Sequence, residues 1–255
     1  MGAPYDGDDG RGVVYIFNGG RSGLSLEASQ VIQASQFNDP GLRTFGFSLS
    51  GGLDLDRNEY PDLLIGAYNS DRAIQLRGRP VVNVTASMKV EPESVNLDER
   101  RCTLSDNSSV PCVIVSLCFQ YTGIGVSREL NFTYLMRLDA GTKRPPRLFL
   151  LYAEGRTEDQ VPLPLKKEEQ HCRSVYAYLT SAVRDKLTPI RVEVEYAIYD
   201  PYPGVSRGFL KPVLNAAHRN QMSKMIHIEK NCGRDNRCIP DLRLSVKPCV
   251  LLLSL

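Results

Sequence analysis

The run RVEVEYAIY, residues 191–199 of a 255-residue chain, restricts the fold more than any other stretch. Val192, Val194, Tyr196 and Ile198 fall on one side of it, and Arg191, Glu193 and Glu195 on the other. A period of two is the geometry of a strand with one buried and one solvated face. LNFTYLMRL (130–138) repeats the pattern, with Leu130, Phe132, Tyr134 and Met136 against Asn131, Thr133 and Arg137. So does VVNVTASMKV (81–90), with Val82, Val84 and Met88 against Asn83, Thr85 and Lys89. Helix signals are poor throughout, so the chain reads as all-β. Strands of this kind between residues 81 and 231, joined by turn-rich loops, predict a β-sandwich of about 150 residues.

The first 79 residues have a different texture, Gly-rich and free of cysteine. Gly2-Ala3-Pro4-Tyr5 leads through a polar turn into VVYIF (13–17), and Gly66-Ala67-Tyr68-Asn69 leads through another into AIQL (73–76). SQVIQ, FGFSLSGG and DLLIGA lie between. A period of about 60 residues holding roughly four short strands predicts propeller blades. The texture changes at RGRP (77–80), and a second break falls at NCGRDNRC (231–238). LRLSV (242–246) reads as the first strand of a further domain.

The cysteines and sequons place the chain in an oxidising, extracellular setting. All seven cysteines lie at or after Cys102, and three Asn-X-Ser/Thr sequons accompany them at Asn83, Asn107 and Asn131. Asn83 and Asn131 stand on the polar parity of their strands, where a glycan has room. A formal net charge of +2 gives no reason to expect nucleic acid or an anionic membrane as partner. No leader opens the chain, and the terminal CVLLLSL falls far short of the roughly 20 apolar residues of a membrane span. An extracellular chain with neither signal peptide nor anchor is expected to be a piece of something longer.

The chemistry concentrates in DLDRNEYPD (54–62). Asp54, Asp56 and Asn58 offer side-chain oxygens at alternate positions, Tyr60 its carbonyl and Asp62 a closing carboxylate. Hard oxygen donors on a short loop are the preference of calcium. An EF-hand is excluded, because its obligatory glycine would be Glu59 and its closing glutamate Ile65. The strand-like flanks FSLSGG and DLLIGA make this a calcium loop within a β-hairpin rather than a solvated polar turn. DGDDG (6–10) is as acidic but lacks the spaced closing Asp and reads as a plain turn. Cys232 and Cys238 make a poor zinc pair, since five residues separate them and no second pair follows. Six cysteines allow fifteen pairings, and spacing does not choose among them.

FGFSLSGGLDLDRNEYPDLLIGAY resembles the FG-GAP repeat of integrin alpha subunits, with its Asp-rich calcium hairpin. DRAIQLRGRPVV is similar to the junction where the integrin propeller enters the thigh domain. RDKLTPI (184–190) and NCGRDNRCIPDLRLSV (231–246) are similar to the later thigh and the knee. The likeness runs in order along nearly the whole chain, as far as KPCVLLLSL. It implies an incomplete β-propeller ending in its last blade (1–79), an immunoglobulin-like thigh β-sandwich (80–240), and a stub of the calf-1 domain with a divergent tail (241–255). It implies the pairs Cys102–Cys112, Cys118–Cys172 and Cys232–Cys238, with Cys249 left over, and a second calcium site at the knee using Asp235. DRAI resembles the alpha-V-like, RGD-binding group.

By resemblance, the function is that of an adhesion-receptor subunit at the cell surface, pairing with an integrin beta subunit to bind extracellular matrix, with calcium and without catalysis. Two alternatives remain. FG-GAP repeats also occur in a phospholipase that cleaves glycosylphosphatidylinositol, but metal-dependent hydrolysis calls for clustered His and Asp. Only His171, His218 and His227 exist, all beyond the propeller segment, and no G-x-S-x-G motif is present. A soluble truncated decoy is the other, although one blade and part of a second would leave apolar faces and strand edges bare.

Overall fold

The computed structural model describes residues 1–21, 23–180, 183–200, 210–230 and 243–245. All the regular structure among them is strand, apart from two short 3-10 turns. Two bodies follow each other along the chain and meet at residues 77–81.

The second body is the sandwich, and the period-two runs build its layers. One five-stranded sheet has the order Leu148–Leu150, His171–Leu179, Cys112–Thr122, Val81–Glu91, Val213–Leu214. The other runs Ser94–Val95, Gln221–Ile228, Ile190–Ile198, Glu129–Leu138, Glu158–Lys166. Most neighbours are antiparallel, and the exceptions are the short edge strands Ser94–Val95 and Val213–Leu214. Val192, Val194 and Tyr196 point inward, as do Phe132, Tyr134 and Met136, while Glu195 and Asn131 face solvent. Phe119 stacks on Tyr134 at 5.7 Å and meets Tyr196 edge-on at 5.8 Å, so aromatic rings from both sheets lock the layers together.

The first body is smaller. Gly2–Ala3, Val13–Ile16 and Gln30–Gln33 form one antiparallel sheet, and Ser48–Leu53, Asp62–Ala67 and Arg72–Leu76 form a second. The strands of the sequence repeat therefore divide between two sheets of three. Residues 34–47 make the break, where Ala34, Leu42 and Phe45 leave the sheets and plug the space between them. The sheet that holds the acidic loop has three strands among the described residues, fewer than the roughly four that the sequence period suggests for a blade.

Among the described residues, seven buried ones form the core of this body, against twenty-eight in the sandwich. Since burial is the main favourable term in folding, the sandwich holds most of the intrinsic stability. The sheet of the acidic loop also exposes apolar side chains: Phe47 and Tyr68 lie with ring centroids 4.5 Å apart, and Leu49 and Leu64 are exposed on its opposite faces. Residues 243–245, the described part of LRLSV, are not in a strand. No helix among the described residues is long and apolar enough to cross a membrane.

Candidate metal centre

The acidic loop joins the paired strands Ser48–Leu53 and Asp62–Ala67, and the pairing fixes its ends. Leu53 stands opposite Asp62, with a bulge at residues 51–53. Arg57 and Glu59 adopt φ of 60° and 73°, which turns the chain sharply twice within three residues. The result brings carboxylate oxygens of Asp54, Asp56 and Asp62 within 4.8 Å of one another.

Each carboxylate is held by backbone. Asp62 is 4% exposed and takes the N–H of Gly78 on Oδ1 at 2.8 Å, and the N–H of Leu55 (3.1 Å) and Nε2 of Gln75 (2.9 Å) on Oδ2. Asp54 accepts from the N–H of Asn58 (3.1 Å) and Glu59 (2.8 Å). Asp56 accepts the Asn58 N–H at 3.2 Å and is paired with the Arg77 guanidinium. The Gly78 N–H, against the opposing effect of burial, holds the Asp62 carboxyl below the usual range. Burial pushes Asp54 up, but the N–H groups of Glu59, Asn58 and Arg57 together outweigh it and bring it below its ordinary value. Three ionised carboxylates at this spacing repel one another unless a cation lies among them.

The donor set fits a hard divalent ion: three carboxylates, all oxygen, on a loop closed at both ends by strand pairing. Asn58 is engaged as a brace. Its Nδ2 donates to the Gly78 carbonyl (2.7 Å) and to Asp56 (3.3 Å), while its Oδ1 accepts the Tyr60 N–H at 2.9 Å. Tyr60 sends its hydroxyl out of the loop to the Ile124 carbonyl of the sandwich, at 2.9 Å. Arg77, Gln75 and Gly78 were not legible as site residues. They reach the loop because Leu76 pairs with Leu63, which places Arg77 opposite Asp62. That register is a tertiary fact, and the only local sign of it is the turn-forming RGRP.

Elsewhere, Cys102 is bonded to Cys112 and Cys118 to Cys172. The Cys118–Cys172 bridge joins register partners within one sheet, on its outer face. Asn83, Asn107 and Asn131 are all exposed. His171, His218 and His227 are exposed on separate elements, and His171 and His227 belong to different sheets. Asp235, the Cys232–Cys238 pair and Cys249 lie outside the described residues.

Residues 78–231 match the family described as Integrin alpha Ig-like domain 1. Integrin alpha-PS2 of Drosophila melanogaster is 41% identical over 256 residues, covering 96% of this chain and 18% of its own length. Human integrin alpha-8 is 34% identical and chicken (Gallus gallus) integrin alpha-V 35%, each over 97% of this chain and 24% of its own length. The chain thus spans about a fifth to a quarter of the length of the curated relatives it matches. With an acidic hairpin at one end, an integrin Ig-like sandwich at the other and identity sustained across both, the chain belongs to the integrin alpha family.

Proposed function

We propose that this chain supplies the cation-stiffened last blade and the thigh of an integrin alpha subunit, a cell-surface adhesion receptor that pairs with a beta subunit to bind extracellular matrix. The Asp54, Asp56 and Asp62 cluster, buttressed by Gly78 of the junction, carries the reading at the level of residues. The ion it takes is calcium, with Asp54, Asp56 and Asp62 as carboxylate ligands and Asn58 and Tyr60 completing the set. The ion's role is structural: it neutralises three carboxylates and stiffens a hairpin that a small core supports weakly.

Arg77 supplies one positive charge at Asp56, which leaves the cluster net negative and receptive to a divalent cation. The exposed apolar side chains of Phe47, Leu49 and Tyr68 would offer a face for neighbouring blades of the same subunit. The separated, exposed histidines favour a non-catalytic role. Asn83, Asn107 and Asn131 are exposed enough to carry glycans, and Asp235 would serve a second site at the knee.

Calorimetric titration of calcium into the secreted chain, beside an Asp56→Ala variant, tests the metal reading. Saturable binding that disappears in the variant is the expected result. Equal heats from both proteins would remove it.

A further inference from the structure

The acidic loop touches three parts of the chain at once: its own blade, the linker and the sandwich. In the linker, three consecutive residues are tied down. Arg77 pairs with Asp56. Gly78 is gripped on both sides, its N–H by Asp62 and its carbonyl by Asn58. Arg79 turns the other way and donates to the Lys211 carbonyl of the sandwich at 2.7 Å. Contact at Gly78 is close enough that a Cβ there would lie 2.7 Å from the Pro61 carbonyl and 2.9 Å from Cβ of Tyr60.

On the sandwich side, the turn after the Cys112–Thr122 strand meets the loop directly. Its Ile124 carbonyl accepts the Tyr60 hydroxyl. Its Gly125 sits at φ 60°, with space for a Cβ only 3.0 Å from the Asn58 carbonyl.

We propose that the loop, the 77–79 linker and the 123–126 turn act as one coupled unit, in which cation binding and the seating of the blade on the sandwich support each other. Tyr60 and Asn58 are its positioning residues. The proposal rests on the calcium reading of the loop. The physical reason is that the same backbone closes both sites. A cation holds Asp54, Asp56 and Asp62 together, and that geometry keeps Gly78 between Asn58 and Asp62 and aims Tyr60 at Ile124. Without one, carboxylate repulsion opposes the same arrangement. Coupling between two equilibria is reciprocal, so loosening the interface must weaken the cation by the factor that removing the cation loosens the interface.

Two variants of the full chain separate this from a purely local metal site. Tyr60→Phe deletes only the hydroxyl and keeps the main-chain carbonyl. Gly125→Ala lies on the sandwich and contributes no atom to the loop. Calcium affinity is read by calorimetry, and amide hydrogen exchange is followed at residues 77–81 and 123–126 with and without calcium. An unchanged unfolding midpoint of the sandwich shows that each variant is folded. The expected result is calcium-induced protection of 123–126 in the parent, lost in both variants, with calcium affinity lowered in both and, in Tyr60→Phe, down roughly threefold to tenfold, the worth of one net hydrogen bond. Parent-like affinity in the folded Tyr60→Phe protein, or exchange at 123–126 indifferent to calcium, overturns the coupling while the metal site stands. A parent that binds no calcium overturns both.

Discussion

Arg147 is the residue whose loss the sandwich should tolerate least. Its Nε and Nη2 grip both oxygens of Asp139, at 2.9 and 2.7 Å, and its own N–H reaches Oδ2 at 3.0 Å. The rest of the guanidinium is spent on carbonyls: Nη1 donates to Asp185 (3.0 Å) and Thr188 (2.7 Å), and Nη2 to Pro189 (3.3 Å). Arg147→Ala would strip the counter-charge from a carboxylate 4% exposed and orphan three carbonyls. Removing one partner of a buried pair typically costs about 3–5 kcal/mol. The pair borders a cleft of about 1070 Å³ that can admit water, which argues for the lower end, about 3 kcal/mol. For a domain of this size that is a fall of roughly 10 °C in Tm.

Urea and thermal unfolding, followed by circular dichroism, would measure it. Arg147→Lys should recover only part of the loss, because an ammonium cannot fork to both oxygens. The double variant Asp139→Leu/Arg147→Met should be closer to the parent than Arg147→Ala, since it leaves no buried charge alone. A loss below about 1 kcal/mol for Arg147→Ala, or a double variant as weak as the single, would refute the reasoning.

Tyr134 is 1% exposed and its hydroxyl has no hydrogen-bond partner, so Tyr134→Phe should leave stability unchanged or raise it by up to about 1 kcal/mol, read from the urea midpoint. Severing Cys118–Cys172, which closes 54 residues, should cost about 4 kcal/mol, and severing Cys102–Cys112, which closes 10, about 3. Paired Cys→Ala variants compared by denaturation give the order. The Thr188 N–H is foremost in holding the Asp185 carboxyl down to about 2, aided by the Thr188 hydroxyl, the Leu187 N–H and Arg144. A depressed carboxyl stabilises the fold above its unfolded value and ceases to do so as pH drops through the folded one. The contribution of Asp185 should therefore be whole above about pH 4 and fade toward pH 2, and Asp185→Asn should flatten that stretch of the stability curve.

The sandwich strands were the most legible part of the chain, because burial on one face imposes the period of two directly on the sequence. Val192, Val194 and Tyr196 are inside, as their alternation requires. The packing of the first body's two three-stranded sheets against each other was not legible. It depends on Leu42 and Phe45 filling the gap between sheets, and an isolated apolar residue in a loop carries no period. The acidic loop announced itself through alternating oxygens, which are local in sequence. Its braces did not, since Gly78, Gln75 and Arg77 arrive through strand register and Ile124 through a contact 64 residues away.

The Cys118–Cys172 bridge has a mechanical consequence. A pull between the two ends of the chain passes from Cys118 to Cys172 through the sulfurs and bypasses the 54 residues of separation between them. Glu129–Leu138 and Glu158–Lys166, neighbours in the second sheet, lie inside that shunt and bear none of the tension along the main chain. About 180–190 Å of extended chain is thereby withheld from any stretching, so that the sandwich, pulled at its ends, can lengthen only by what lies outside the loop.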